Sequence, residues 1–173
     1  LFSEWYAPRK INKSKIRNFK KKYANEVKKL LSKLSLKNDT FVHRDFHVSN
    51  LMKVGKKVGV IDSQDALIGN PAYDLVSLID DVRITTSTKL KKQIYQYYLK
   101  KSPKINKRNM EAFFQDFNIL SVQRSLKIIG IFSRLFKRDK KKKFLKLIPY
   151  TWKLLNMRMD SKIFSELKKI LDS

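Results

Sequence analysis

His43-Arg44-Asp45-Phe46-His47-Val48-Ser49-Asn50 runs directly into Leu51-Met52-Lys53-Val54, Gly55-Lys56-Lys57, Val58-Gly59-Val60-Ile61 and Asp62. In outline this is a polar loop, an apolar run, a turn, a second apolar run and a second polar loop. Two short apolar runs around a glycine-led turn predict a β-hairpin, with Gly55 supplying turn dihedrals that other residues resist. A hairpin returns the chain to where it departed, so the loop ending at Asn50 and the loop starting at Asp62 are expected side by side. Upstream, Phe41-Val42 leads into the first loop. Downstream, the second loop is expected to run from Asp62 to Asn70. Asn70-Pro71 then reads as a helix start, with Asn as N-cap and Pro at the first helical position.

The remainder is helical by period. Ile16, Phe19, Tyr23, Val27, Leu30, Leu31 and Leu34 recur at spacings of three and four, predicting an amphipathic helix over 14–34 that Asn38-Asp39 ends. After residue 88, Leu90, Ile94, Tyr97 and Tyr98 mark one helix, and Met110, Phe113, Phe114, Phe117, Leu120 and Leu126 a longer one. Pro149 must open or kink the next, around Trp152 and Leu155, and Ile163 to Leu171 close the chain. The expected fold is a single mainly α unit over residues 1–173 with a small β-hairpin. Its chemistry is expected over 41–74 and a helical subdomain over 84–173.

The bulk composition excludes several classes. Hydrophobic residues make up 42% and aromatics 12% of 173 residues, which is enough for a folded core. Without cysteine there is no disulfide framework or thiolate zinc site, and a reducing cytoplasm is the expected setting. No apolar run reaches the roughly 18 residues that a membrane span requires. The net charge of +25 invites a nucleic-acid partner. The lysines are instead spread over nearly every helix, as in Lys20-Lys21-Lys22 and Lys140 to Lys143, with no basic-and-aromatic motif of the strand-binding kind. A lysine-rich solvated surface is the expectation, and a nucleic-acid partner is not.

Asp45 and Asn50 stand five apart in one loop, and the hairpin delivers Asp62 to the other. Phosphoryl transfer asks for few protein groups. One carboxylate orients the attacking hydroxyl and accepts its proton. Two oxygen ligands hold Mg²⁺ against nucleotide phosphates, since that ion prefers hard oxygens and keeps several waters. Asp45 suits the first role, and Asn50 with Asp62 the second.

The ordered pattern H-x-D-x-H-x-x-N, a hairpin, I-D-x-x-D and G-x-P-x-x-D-L resembles the C-lobe of the aminoglycoside phosphotransferase and choline kinase family, relatives of protein kinases. HRDFHVSNLM from His43, VIDSQDALIGNPAYDLVSLIDDVR from Val60 and QRSLKIIGIFSRL from Gln123 are similar to its bacterial branch of anomeric N-acetylmuramate and N-acetylglucosamine kinases. Glu4-Trp5-Tyr6 resembles the segment that opens that branch's C-lobe. The resemblance implies ATP and Mg²⁺ as cofactors, Asp45 as catalytic base, and Asn50 and Asp62 as metal ligands. It implies that His47 braces the catalytic loop and that Asp74 is a buried carboxylate capping the loop's backbone. His43 reads as a packing and hydrogen-bonding residue. Ser63-Gln64-Asp65 stands where protein kinases carry Phe-Gly, which argues against a protein substrate.

The family's glycine-containing loop, strand lysine and helix glutamate lie upstream of the catalytic loop. Here only residues 1–42 precede His43, they read as helix, and no glycine occurs before Gly55. The expectation is therefore a C-lobe without its N-lobe, inactive alone, from a natural protein of roughly twice this length. Gln64, Asp65, Arg83, Gln123 and Arg124 are candidates for gripping an amino sugar, with salt bridges inside the helical lobe as the competing reading. Asp80 and Asp81 are expected on a solvated helix face. Two alternatives stay open: a kinase of the same fold acting on choline, an aminoglycoside or another alcohol, and a non-catalytic basic binding module on a kinase scaffold.

Overall fold

A computed structural model describes residues 1–102, 105 and 108–173. The chain divides into two compact units, one of residues 1–33 with 122–173 and one of residues 34–121.

The second unit carries the loops and both small sheets. Its strands are β1 (Thr40–Val42), β2 (Leu51–Val54), β3 (Lys57–Val60) and β4 (Leu67–Gly69). The hairpin forms as the sequence predicts, with Leu51 opposite Val60 and Val54 opposite Lys57. Its turn is the two residues Gly55-Lys56, one fewer than expected, because Lys57 already pairs in the ladder. Gly55 adopts φ 59°, the left-handed region where a side chain is costly.

The stretch from Asp62 to Asn70 is not all loop, as expected from sequence. A single helical turn covers Ser63–Asp65, and β4 then pairs antiparallel with β1, placing Phe41 opposite Ile68. Backbone groups at 40–42 need partners, and the apolar run Leu67-Ile68 supplies them.

Helix α2 (Ala72–Ile79) follows, one residue later than predicted. Asn70 still caps it, since its Oδ1 accepts a hydrogen bond from the Ala72 N–H at 3.0 Å. Helix α3 (Thr88–Lys101) is capped by Ser87, whose Oγ accepts from the Leu90 N–H. The core of this unit gathers Ala72, Leu75, Val76 and Ile79 from α2 with Phe113, Phe117 and Leu120. Burying each of the larger side chains among them is worth roughly 1.5–3 kcal/mol. Leu34 and Leu36 pack against this core. That explains why α1 (Lys13–Leu31) stops short of the predicted residue 34.

Phe113, Phe117 and Leu120 open α4 (Met110–Asp139), whose later residues belong to the first unit. That unit also holds α1, α5 (Ile148–Arg158) and α6 (Ser165–Leu171), with Pro149 at the start of α5 as anticipated. The Glu4-Trp5-Tyr6 segment forms a tight helical turn over Phe2–Tyr6. Phe2 stacks on Tyr6 and Tyr23 with ring centroids 5.1 and 5.4 Å apart, and meets Trp152 edge-on at 6.0 Å. Gly130 lets this segment approach: a Cβ there would lie 2.5 Å from backbone atoms of Leu1 and Phe2.

Candidate active site

The loop from His43 to Asn50 is held at both ends by hydrogen bonds that its own residues make to the rest of the second unit. At its start, the Asp74 carboxylate of α2 accepts from the His43 N–H at 2.6 Å and the Arg44 N–H at 3.0 Å. Asp74 is half-buried. Arg44 sits at φ 73°, a left-handed backbone that an L-residue with a long side chain adopts only when its surroundings fix it. Asp74 provides that fixing. Helix geometry explains the aim, because Asp74 lies in the first turn of α2, where a carboxylate also complements the helix dipole.

At the loop's end, the Asn50 side chain turns inward and donates from Nδ2 to the Asp45 carbonyl at 3.0 Å. Asn50 is 8% exposed. Committing Nδ2 to Asp45 leaves Oδ1 as the free end of the amide, with no partner among the described residues. Within the loop, the His47 N–H bonds the Asp45 carbonyl and the Asn50 N–H bonds the His47 carbonyl, each at 2.9 Å. His47 is buried.

The Ile61 backbone joins the two loops. Its N–H donates to the Asn50 carbonyl at 3.1 Å, and its carbonyl lies 2.9 Å from Nε2 of buried His43. A carbonyl accepts only, so Nε2 carries the proton of this bond. Both backbone groups of Ile61, the residue before Asp62, are thus bonded to the loop that holds Asp45 and Asn50. Asp62 itself takes a left-handed conformation, φ 63° and ψ 43°, which Asp tolerates better than most residues. Arg44 adds a further tie, donating from its guanidinium to the Asp65 carbonyl at 3.2 Å.

Asp45 and Asp62 are both exposed, and neither carboxylate has a partner among the described residues. Backbone hydrogen bonds thus join the loop of Asp45 and Asn50 to the residue before Asp62, and the Asn50 amide oxygen and both carboxylates have no partner among the described residues. Two free oxygen donors, the Asn50 amide oxygen and the Asp62 carboxylate, fit Mg²⁺ that completes its shell with phosphate and water. No cluster of three or more His, Cys, Asp or Glu exists among the described residues, so a protein-only cage for a softer metal is not formed there.

Gln64 and Asp65 project from the exposed turn after Asp62. Arg83 pairs with Asp81 at 3.3 Å, the salt bridge named as the competing reading. Gln123 and Arg124 lie on α4 in the first unit, where Gln123 is half-buried and Arg124 is 6% exposed.

Asp80 and Asp81 are not a solvated face. They are 2% and 1% exposed, because α2 ends at Ile79 and the chain turns them inward between buried Ile79 and Val82. Asp80 accepts from Lys91 Nζ at 3.0 Å and Ser121 Oγ at 2.7 Å. Asp81 accepts from the Val48 N–H of the loop that holds Asp45 and Asn50 at 3.4 Å. Asp116, fully buried on α4, accepts from the Ser35 and Leu36 N–H groups and from Asn70 Nδ2 at 2.7 Å. Asp116 was not singled out in the sequence at all. Its signal was position: Asp116 stands between Phe113 and Phe117 on the apolar face of its helix. An apolar groove of about 580 Å³, lined in part by Phe41, Phe46, Tyr97 and Tyr98, opens beside Asp74.

The chain is similar to known proteins over most of its length. A protein from Neisseria meningitidis serogroup B named N-acetylmuramate/N-acetylglucosamine kinase is 36% identical over 171 residues, covering 96% of this chain and 50% of that protein. Proteins of the same name from Caulobacter vibrioides and Pseudomonas putida are 33% and 29% identical, covering 76% and 90% of this chain but 37% and 47% of their own lengths. The chain thus spans about half the length of the curated relatives it matches. That coverage and the helical architecture fit the C-terminal lobe of a protein-kinase-like fold. The phosphotransferase enzyme family (APH) matches residues 2–113, a span that contains every loop and strand described above, and the chain belongs to that family.

Proposed function

We propose that this chain is the catalytic lobe of an ATP-dependent kinase that phosphorylates a hydroxyl of an amino sugar, at the anomeric position. The observation that carries the reading is the clasped Ile61 backbone, which ties the residue before Asp62 to the loop of Asp45 and Asn50. The names of the relatives support an acceptor such as N-acetylmuramate or N-acetylglucosamine.

In this reading Asp45 orients the sugar hydroxyl in line with the transferred phosphoryl group and takes its proton. An anomeric hydroxyl is more acidic than an ordinary sugar hydroxyl, so an exposed carboxylate suits it as a base. Asn50 Oδ1 and Asp62 would hold Mg²⁺, which on binding neutralises charge on the ATP phosphates. His43, Asp74 and the Nδ2 of Asn50 do no chemistry. They hold the loop so that little reorganisation is needed when the acceptor arrives. ATP as phosphate donor supports a cytoplasmic setting. The described residues serve the acceptor and the metal and include no glycine-rich cover for a nucleotide, so residues 1–173 alone are expected to turn over little.

The test uses the protein expressed from its native start, with ATP, Mg²⁺ and a panel of amino sugars, choline and aminoglycosides. Phosphorylation of an N-acetylated amino sugar that Asp45→Asn lowers by about 10²–10⁴-fold is the expected result. Transfer confined to choline or an aminoglycoside would move the acceptor class while keeping the site. No Asp45-dependent transfer to any acceptor would overturn the reading in favour of a binding module.

A further inference from the structure

The buried carboxylate of Asp81 uses both oxygens on the rim of the same loop. One accepts from the Val48 N–H at 3.4 Å. The other accepts from the Arg83 N–H at 3.0 Å and from the Arg83 guanidinium at 3.3 Å. One carboxylate therefore separates that guanidinium from the backbone of Val48, three residues beyond Asp45.

The burial is lopsided. The Asp81 side chain is 1% exposed, whereas that of Arg83 is 40% exposed. Arg83 makes no polar contact besides those with Asp81 among the described residues, so most of its five N–H donors are unused. A buried charge must be paired, and Asp81 meets that need with one edge of the guanidinium. The rest faces outward with its swing limited, because backbone and side chain of Arg83 are tied to the same oxygen. A cation held this way has already lost much of the side-chain freedom that binding would otherwise cost. Its planar fork matches a carboxylate in two-point contact.

Two anions could meet it, a nucleotide phosphate or a carboxylate on the acceptor. In the proposed reaction the phosphates are served through Asn50 and Asp62, at the hairpin end of the loop. Arg83 is tied to the loop at Val48 and follows the end of α2 instead. The two sugars in the relatives' name differ in one group: the muramate carries a lactyl ether ending in a carboxylate, and the glucosamine has a hydroxyl there. We infer that Arg83, oriented by Asp81, receives the carboxylate of an acidic acceptor and sets the preference for acidic over neutral amino sugars. Asp81 is the positioning residue of that pair. This inference rests on the sugar-kinase reading above.

The experiment measures kcat/KM for N-acetylmuramate and N-acetylglucosamine, with KM for ATP on each, in the protein expressed from its native start. Arg83→Met should lower the muramate-to-glucosamine ratio by roughly 10- to 100-fold, the scale of a lost charge-assisted hydrogen bond. Arg83→Lys keeps the cation without the fork and should restore part of that ratio. It also keeps the test decisive if Arg83→Met folds poorly. Loss of folding or loop order alone would lower both sugars together and leave the ratio in place. An unchanged ratio in both variants overturns the inference, as does an effect confined to KM for ATP, which would give Arg83 to the nucleotide. No Asp45-dependent transfer to either sugar by the unsubstituted protein overturns the kinase reading, and this inference with it.

Discussion

Replacing Asp74 by Asn keeps the shape of the side chain and changes what it offers the loop. In the native chain two carboxylate oxygens accept from the His43 and Arg44 N–H groups at 2.6 and 3.0 Å. An amide can accept only one of those bonds, and its NH₂ then faces the other N–H, donor against donor. The lost charge-assisted bond is worth about 1.5–3 kcal/mol, and the surviving one becomes a weaker neutral bond. Arg44 also depends on this hold, since its backbone at φ 73° costs about 1–2 kcal/mol to maintain. Asp74→Asn should therefore destabilise the loop by about 2–4 kcal/mol. If the loop and the fold melt together, the thermal midpoint of a chain this size should fall by roughly 5–12 °C, read by far-UV circular dichroism. If the loop opens alone, exchange of the His43 and Arg44 amides should accelerate by about 30- to 1000-fold with little change in midpoint. Either result fits the geometry. A midpoint within 1 °C (~0.3 kcal/mol) of the native one, together with unchanged exchange at both amides, would refute it.

Lys91→Met removes the ammonium that sits 3.0 Å from the buried Asp80 carboxylate and should lower stability by about 1–4 kcal/mol in urea unfolding, with Lys91→Met/Asp80→Asn recovering part of the loss. Equal stability of single and double variants would show that the pair is not coupled. Gly130→Ala places a methyl group 2.5 Å from the backbone of Leu1 and Phe2, and should displace the aromatic turn from Trp152 at a cost of about 1–3 kcal/mol. Tryptophan emission should shift to the red, and an unshifted spectrum would mean that the segment yields without leaving.

What could be read from the sequence was local, and the reason is physical. The hairpin, the loops beside it and the start of α2 each depend on residues within a few positions of one another: glycine in a turn, alternating short apolar runs, Asn before Pro. Such signals survive without knowledge of the rest of the fold. The grouping of Asp45, Asn50 and Asp62 followed from them, because a hairpin of known length returns the chain to a known place. The pairing of β1 with β4 joins residues some 27 positions apart, and no local pattern in Leu67-Ile68-Gly69 announces the partner.

The buried charges were illegible for a different reason. Asp80, Asp81 and Lys91 were counted with a very charged surface and Asp116 was passed over, since in a chain with 40 basic and 15 acidic residues a charge draws no notice by itself. Their burial depends on where helices end and on amides that only the folded chain leaves unpaired, such as the Ser35 and Leu36 N–H groups that meet Asp116. The rule they suggest is to read acidic residues against the apolar period and not against composition. Asp116, flanked at its helical spacing by Phe113, Phe117 and Leu120, then stands out as a carboxylate aimed into a core.

The hairpin shows how sharply the site depends on register and how little on packing. Met52, Val54 and Val58 are 53%, 62% and 67% exposed, so burial does not set the length of this element. The ladder does, through Leu51 opposite Val60 and the bond from the Ile61 N–H to the Asn50 carbonyl. Because side chains alternate across a strand, a slip of one residue would turn every β3 side chain to the opposite face and shift Asp62 by one position against the loop of Asn50. It would also take the Ile61 carbonyl away from His43 Nε2, leaving a buried N–H without an acceptor. The two-residue turn at Gly55-Lys56 is the one local feature that forbids this slip, and His43 is its check from the loop side. The backbone around Asp45, Asn50 and Asp62 is therefore held by the ladder, the Asp74 carboxylate, the Asn50 amide and the His43 imidazole, while the Asp45 and Asp62 carboxylates stay without a partner among the described residues.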